Sequence, residues 1–350
     1  MLASLHAPQS DGGLIAAGYA MFFGGLLMMG ARLGDRYGHR RTILVSLAVF
    51  AAGSAVAATS SSVVALTAGR CLQGAAAAVS VPSALRLLTT ITAEGAARRQ
   101  AIAAWSAAGA AAGATGFVAG GIITELANWR LVFWAFIPGA AVLGAVIAAT
   151  VHPYGDSEPV RSLNLAASAA LTGAVMALVV GCTVITQSAW AAVGAAALGL
   201  CAVLTVAFVL IDRNAAAPLL PRQLVGRPTL RQGALGGFLN TSTTSSAVTL
   251  VTLYLRNTRH RTPLEAAATL LPLSLAAIAG SWLSATGLTV IAAGDTALIA
   301  SAGSGWGVPL CAAACGVGIG LSSVAATAWG PTSVHAGVVA HPASSTPPPR

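Results

Sequence analysis

Eleven apolar runs alternate with short polar segments along the chain. They cover roughly 12–34, 42–60, 63–92, 99–123, 131–151, 164–184, 190–211, 229–254, 265–281, 283–302 and 306–328. Most are long enough to cross ~30 Å of hydrocarbon as a helix. Inside a bilayer a backbone must satisfy its own polar groups, and a helix does so within one segment. The pattern predicts an all-α integral membrane protein with about 10–11 transmembrane helices. Only "GSWLSATG" separates the runs at 265–302, which read as a tight hairpin or one bent helix. The Pro/Ser-rich "HPASSTPPPR" tail is expected to be disordered.

Composition sharpens this picture. Of 350 residues, 56% are hydrophobic and only 8% charged, with a mean hydropathy of +0.80. A soluble domain carries about 25% charged residues, so this chain cannot coat a water-facing surface. The net charge is +9, and every basic residue is arginine. The arginines lie in short loops between apolar runs, which fits topology signals rather than nucleic-acid binding. Five cysteines fall inside apolar runs without metal-type spacing and read as helix-packing residues. The six histidines are scattered through loops and termini. No paired catalytic carboxylates, Ser/His/Asp set or zinc spacing stands out, so neither an enzyme nor a bound metal or cofactor is expected. The opening "MLASLHAPQSDGG" lacks the basic-then-apolar order of a signal peptide.

Placing the 31–44 loop in the cytoplasm and letting the runs alternate puts twelve arginines inside. These are Arg32, Arg36, Arg40, Arg41, Arg86, Arg98, Arg99, Arg161, Arg213, Arg222, Arg227 and Arg231. Four (Arg130, Arg256, Arg259, Arg261) fall outside. The positive-inside rule favours this orientation, although "RNTRHR" at 256–261 runs against it. Residues 1–11 are then external.

Three motifs follow in order. "ARLGDRYGHRRTIL" gathers Arg36, Arg40 and Arg41 with Asp35 around Gly38. Glycine there permits a tight turn, and a helix-end carboxylate can pair with arginine or cap a neighbouring helix. "LTAGRCLQGAAAA" puts Arg70 inside a span, where an arginine costs about 2.5–3.5 kcal/mol and needs a partner or water. Gln73 lies at i+3 and Gly74 at i+4 on one face. The alternative is an Arg70 that snorkels to the outer surface. "GAAAGATGFVAGG" sets Gly109, Gly113, Gly116 and Gly120 on one helix face, followed by Gly121, where another helix can pack closely.

These motifs resemble, in the same order, the signature loop G-x-L-x-D-R-x-G-R-R/K-R/K, the fourth-helix L-x-x-x-R-x-x-Q-G and the antiporter motif ending G-P-x-x-G-G of the major facilitator superfamily. Ala31, His39 and Phe117 depart from those patterns. "APLLPRQLVGRPTLRQG" at 217–233 resembles the loop before the second bundle of the fourteen-helix drug/proton antiporters. The runs 164–184 and 190–211 would be that branch's extra central pair.

The resemblance implies export of hydrophobic or cationic small molecules in exchange for protons by alternating access. Lipid, protons and the substrate would be the partners, and the proton gradient the energy source. Asp35, Arg36, Gly38, Arg40 and Arg41 would form a conformational latch; the bland alternative is a basic topology anchor. Arg70 and Gln73 would belong to the proton path, and the glycines at 109–121 to a helix seam. Nine hydroxyl or amide side chains crowd Asn240–Thr252. Asn240, Thr241 and Thr244 are candidates to line a water-filled path; interhelical hydrogen bonding is the competing reading. Asp295, the lone acid deep in a run, is a further candidate.

The resemblance divides the chain into an N-terminal bundle (1–151), a loop with two extra helices (152–211), a partial C-terminal bundle (212–330) and a tail (331–350). It implies one helix before Met1 and three after the last run. A truncated, non-transporting member or decayed gene product is the alternative expectation.

Overall fold

The computed structural model describes residues 3–5, 7, 11–151, 164–185, 190–215, 218–219 and 228–280. Every regular element among them is helical. After a short turn of 3-10 helix come α1 (Asp11–Tyr37), α2 (His39–Thr59), α3 (Val63–Ile91), α4 (Ala96–Leu126), α5 (Trp129–Thr150), α6 (Leu165–Val184), α7 (Ala191–Asn214), α8 (Pro228–Asn257) and α9 (Pro263–Gly280). Six of them, α1 to α3 and α5 to α7, are long and apolar enough to cross a membrane. The predicted runs at 283–302 and 306–328, Asp295 and the 331–350 tail lie outside the described residues.

Most helices overshoot their apolar run by a few residues. Hydropathy ends where water begins, but backbone hydrogen bonding continues until something stops it. Asn128 caps α5, its side chain accepting from the Arg130 N–H at 3.1 Å. Pro228 and Pro263 open α8 and α9, where a missing N–H costs nothing. Thr262 and Glu265 form a capping box at α9, each side chain accepting from the other's backbone N–H at 3.1–3.2 Å.

The described helices fall into two compact units. The first joins Met1–Ile91 to Leu126–Leu219 and so holds α1, α2, α3, α5, α6 and α7. In it α3 packs on both α1 and α2, α5 on α2, and α6 on α1 and α7. Ile15, Ala57, Ala58, Leu66, Trp129 and Phe133 form one apolar cluster. Beside it the Arg130 guanidinium lies 4.5 Å over the Trp129 ring and donates to the Ser60 carbonyl at 2.8 Å. The second unit joins Thr92–Glu125 to the chain beyond Leu219, and contains α8, α9 and nearly all of α4. There the Leu264 N–H, in the first turn of α9, donates to Glu125 Oε2 at 3.1 Å.

Small residues bring the helices of the first unit close. A Cβ on Gly69 of α3 would stand 2.8 Å from the Gly53 carbonyl of α2. Meanwhile Val203, Val206 and Leu210 of α7 remain exposed. They recur on one helix face, and hydrocarbon is the solvent that face suits.

Candidate functional site

The signature segment spans the α1–α2 junction, where Gly38 is the only non-helical residue. Its φ of 84° and ψ of 132° lie where a side chain is strained. The Thr42 hydroxyl and N–H both return to the Gly38 carbonyl, at 2.8 and 3.0 Å. Asp35 faces His39 Nε2 at 3.6 Å rather than an arginine. The nearby arginines turn elsewhere: Arg40 donates to the Ala148 carbonyl of α5 at 2.8 Å, Arg32 to the Pro218 carbonyl at 3.0 Å, and Arg36 lies 5.5 Å over the Tyr37 ring. Arg41 is exposed. Carbonyls left unpaired at helix ends and in loops compete with Asp35 for these guanidinium groups, and Asp35 itself is exposed.

A second polar group lies on α3. The Arg70 guanidinium donates to Gln73 Oε1 at 2.8 Å, and Gln73 Nε2 donates to Ser54 Oγ on α2 at 2.8 Å. The Ser54 hydroxyl in turn donates to the Phe50 carbonyl at 2.7 Å. Gln73 and Ser54 are fully buried. Arg70 also lies 4.5 Å over the ring of Tyr19 on α1, and Tyr19 stacks on Phe23. Gly74 makes this possible, because any side chain there would collide with the Tyr19 carbonyl. Three helices thus hold one guanidinium. Among the described residues no carboxylate pairs with it. The i+3 placement of Gln73 is the one sequence motifs show.

The other candidates lie on unit-two helices. Gly109, Gly113, Gly116 and Gly120 line one side of α4, with open space within 4 Å of where each Cβ would sit; Gly121 beside them is buried. Asn240, Thr241 and Thr244 belong to α8, and Thr241 is exposed. Farther along α8, the Thr249 and Thr252 hydroxyls donate to the Ser245 and Val248 carbonyls of their own helix, each at 2.7 Å.

Sequence reasoning missed Tyr19 and Ser54. Tyr19 carries a weak signal as the one tyrosine in the run 12–34; Ser54 carries none. It also missed Gly34 and Ser83. A Cβ on Gly34 would lie 2.6 Å from both His39 Nδ1 and Ser83 Oγ, two buried atoms without a hydrogen-bond partner among the described residues.

Fold and site together define a multi-pass helical membrane protein that holds a hydrogen-bonded charge within a spanning helix. Residues 1–343 match the family model of the Major Facilitator Superfamily, and the chain belongs to that family of membrane transporters. It is 32% identical over 322 residues to the tetracenomycin C resistance and export protein of Streptomyces glaucescens, covering 90% of this chain and 59% of that one. It is 36% identical to the cephamycin export protein CmcT of Amycolatopsis lactamdurans, over 63% of this chain and 46% of the other. The chain thus spans about half to three-fifths of the length of these relatives. The crystal structure of the human organic anion transporter MFSD10 shares the fold, with a TM-score of 0.59 over 91% of this chain and 70% of that one at 18% identity.

Proposed function

We propose that the chain exports hydrophobic or cationic small molecules, antibiotics among them, in exchange for protons by alternating access. The relatives named for antibiotic export and resistance support the substrate class. The observation that carries the coupling reading is the Arg70 arrangement. A guanidinium inside a spanning helix is stabilised by Gln73 and the Tyr19 ring, with no carboxylate pairing among the described residues. Its remaining N–H donors leave it able to bind an acceptor on an entering substrate, or a carboxylate whose charge changes as it gains or loses a proton.

In this reading Asp35, Arg36, Gly38, Arg40 and Arg41 form the latch at the α1–α2 junction. Gly109, Gly113, Gly116, Gly120 and Gly121 form the helix seam, and Asn240, Thr241 and Thr244 line the substrate path. The adjacent pair α6–α7 is the support for assigning the chain to the fourteen-helix drug/proton antiporters.

The test is energy-dependent efflux of ethidium from a pump-deficient, drug-sensitive host that expresses this chain. Efflux is expected to stop with a protonophore and with Arg70→Ala. Absence of energy-dependent efflux overturns the export reading. Undiminished efflux by Arg70→Ala overturns the coupling role alone.

A further inference from the structure

The end of α7 carries an acid that the export reading does not use. Asp212 is only 5% exposed although it lies in the last turn of its helix. A carboxylate so buried needs hydrogen-bond donors. Its Oδ1 accepts from the Leu219 N–H at 2.6 Å and from Asn164 Nδ2 at 3.4 Å. Asn164 in turn caps α6, its Oδ1 accepting from the Ala167 N–H at 3.2 Å. One carboxylate therefore ties the end of α7, the start of α6 and the segment that leaves α7. The Leu219 side chain packs with Ala167, Ala170 and Phe208 beneath these bonds.

Two further bonds reach from this assembly to α1. Arg32 donates to the Pro218 carbonyl at 3.0 Å, next to the residue that Asp212 holds. The Thr172 hydroxyl of α6 donates to the Gly25 carbonyl of α1 at 2.6 Å. Most helical threonines here bond to their own i−4 carbonyl, as Thr205 of α7 does. Thr172 instead crosses to a neighbouring helix.

The medium gives these bonds their weight. Apolar contact between helices in hydrocarbon gains little, because lipid tails offer the same contact. Whether the α6–α7 hairpin stays against α1 is then decided by close packing and by polar ties.

We propose that Asp212, Asn164 and Arg32 form a clamp that holds the α6–α7 hairpin, and the chain through Leu219, onto α1 as one body. During transport the hairpin travels with α1; this last clause rests on the export reading.

Cross-linking tests the clamp. A Cβ on Gly24 would lie 3.4 Å from Val175 Cγ1 of α6, so Gly24→Cys with Val175→Cys reports docking as a disulfide. The native cysteines are replaced by serine in this background. Oxidation is expected to be rapid in the parent. Asp212→Ala combined with Arg32→Gln is expected to slow it by about tenfold, because buried groups lose their partners. Asp212→Asn keeps an acceptor oxygen and is expected to oxidise close to the parent rate.

A second disulfide, Gly18→Cys with native Cys71 retained, joins α1 to α3; the Gly18 Cβ would lie 3.2 Å from Cys71 Sγ. Its rate is expected to be unchanged in the clamp variants. Unchanged α1–α6 oxidation in the double variant overturns the clamp, and so does equal slowing of the α1–α3 control. In the efflux assay the oxidised Gly24→Cys/Val175→Cys chain is expected to transport as well as the reduced one. Loss on oxidation, reversed by reductant, overturns the single-body clause. Absence of efflux even before oxidation counts against the export reading alone, because the cross-linking rates decide the clamp without it.

Discussion

An arginine within a membrane helix costs up to about 2.5–3.5 kcal/mol on insertion scales, and Arg70 offsets its share of that cost with Gln73 and the face of Tyr19. Gln73 does double duty, because its amide also donates to Ser54. Gln73→Leu leaves Arg70 and Ser54 short of a buried partner at once and is expected to destabilise the protein by about 1–3 kcal/mol. Arg70→Ala and Gln73→Leu in a double-mutant cycle are expected to couple by about 0.5–3 kcal/mol, read from thermal unfolding in detergent. Strict additivity would mean that the 2.8 Å contact between them contributes nothing. Arg70 and Gln73 were legible in the sequence because helical spacing alone puts them together. Tyr19 and Ser54 were not, because they reach the site from two other helices.

At the scale of the elements, glycine decides how near the helices come. Gly74 seats α3 against the Tyr19 backbone of α1, whereas Gly109 of α4 faces open space. Gly74→Leu must push α1 away from α3, since backbone cannot yield as a flexible side chain does. It is expected to slow the Gly18→Cys/Cys71 cross-link severalfold, while Gly109→Leu leaves that rate unchanged. Equal rates in both would show that the α1–α3 contact tolerates the added volume. Helix positions were legible from hydropathy, but their ends were set by Gly38, Asn128 and Asn164. Those are local backbone choices that an average over a window cannot detect.

For the whole molecule, the exposed apolar faces of α5 and α7 suit a bilayer, and the arginine distribution predicts its sense. Tyr37 lies 53% exposed at the α1–α2 junction. Tyr37→Cys on a cysteine-free background is expected to resist an impermeant thiol reagent in intact cells and to react in inverted vesicles. Ready labelling from outside would invert the orientation and move the Asp212 clamp to the opposite face.

The sequence by itself determined the helical membrane class, the positions of the described spans and the spacing of Arg70 and Gln73. These depend on composition and on the helical repeat, both local in the chain. Only the tertiary structure decided that Asp35 faces His39, that Arg32 serves the Pro218 carbonyl, and that α4 groups with α8 and α9. Arginine has several donors that can serve carbonyl as well as carboxylate oxygens, so its partner depends on which acceptor the packing brings within reach. Asp212 shows the same dependence: a carboxylate at a helix end reads as an interfacial charge, and it becomes a buried tie because the chain turns back after α7 and places the Leu219 N–H against it.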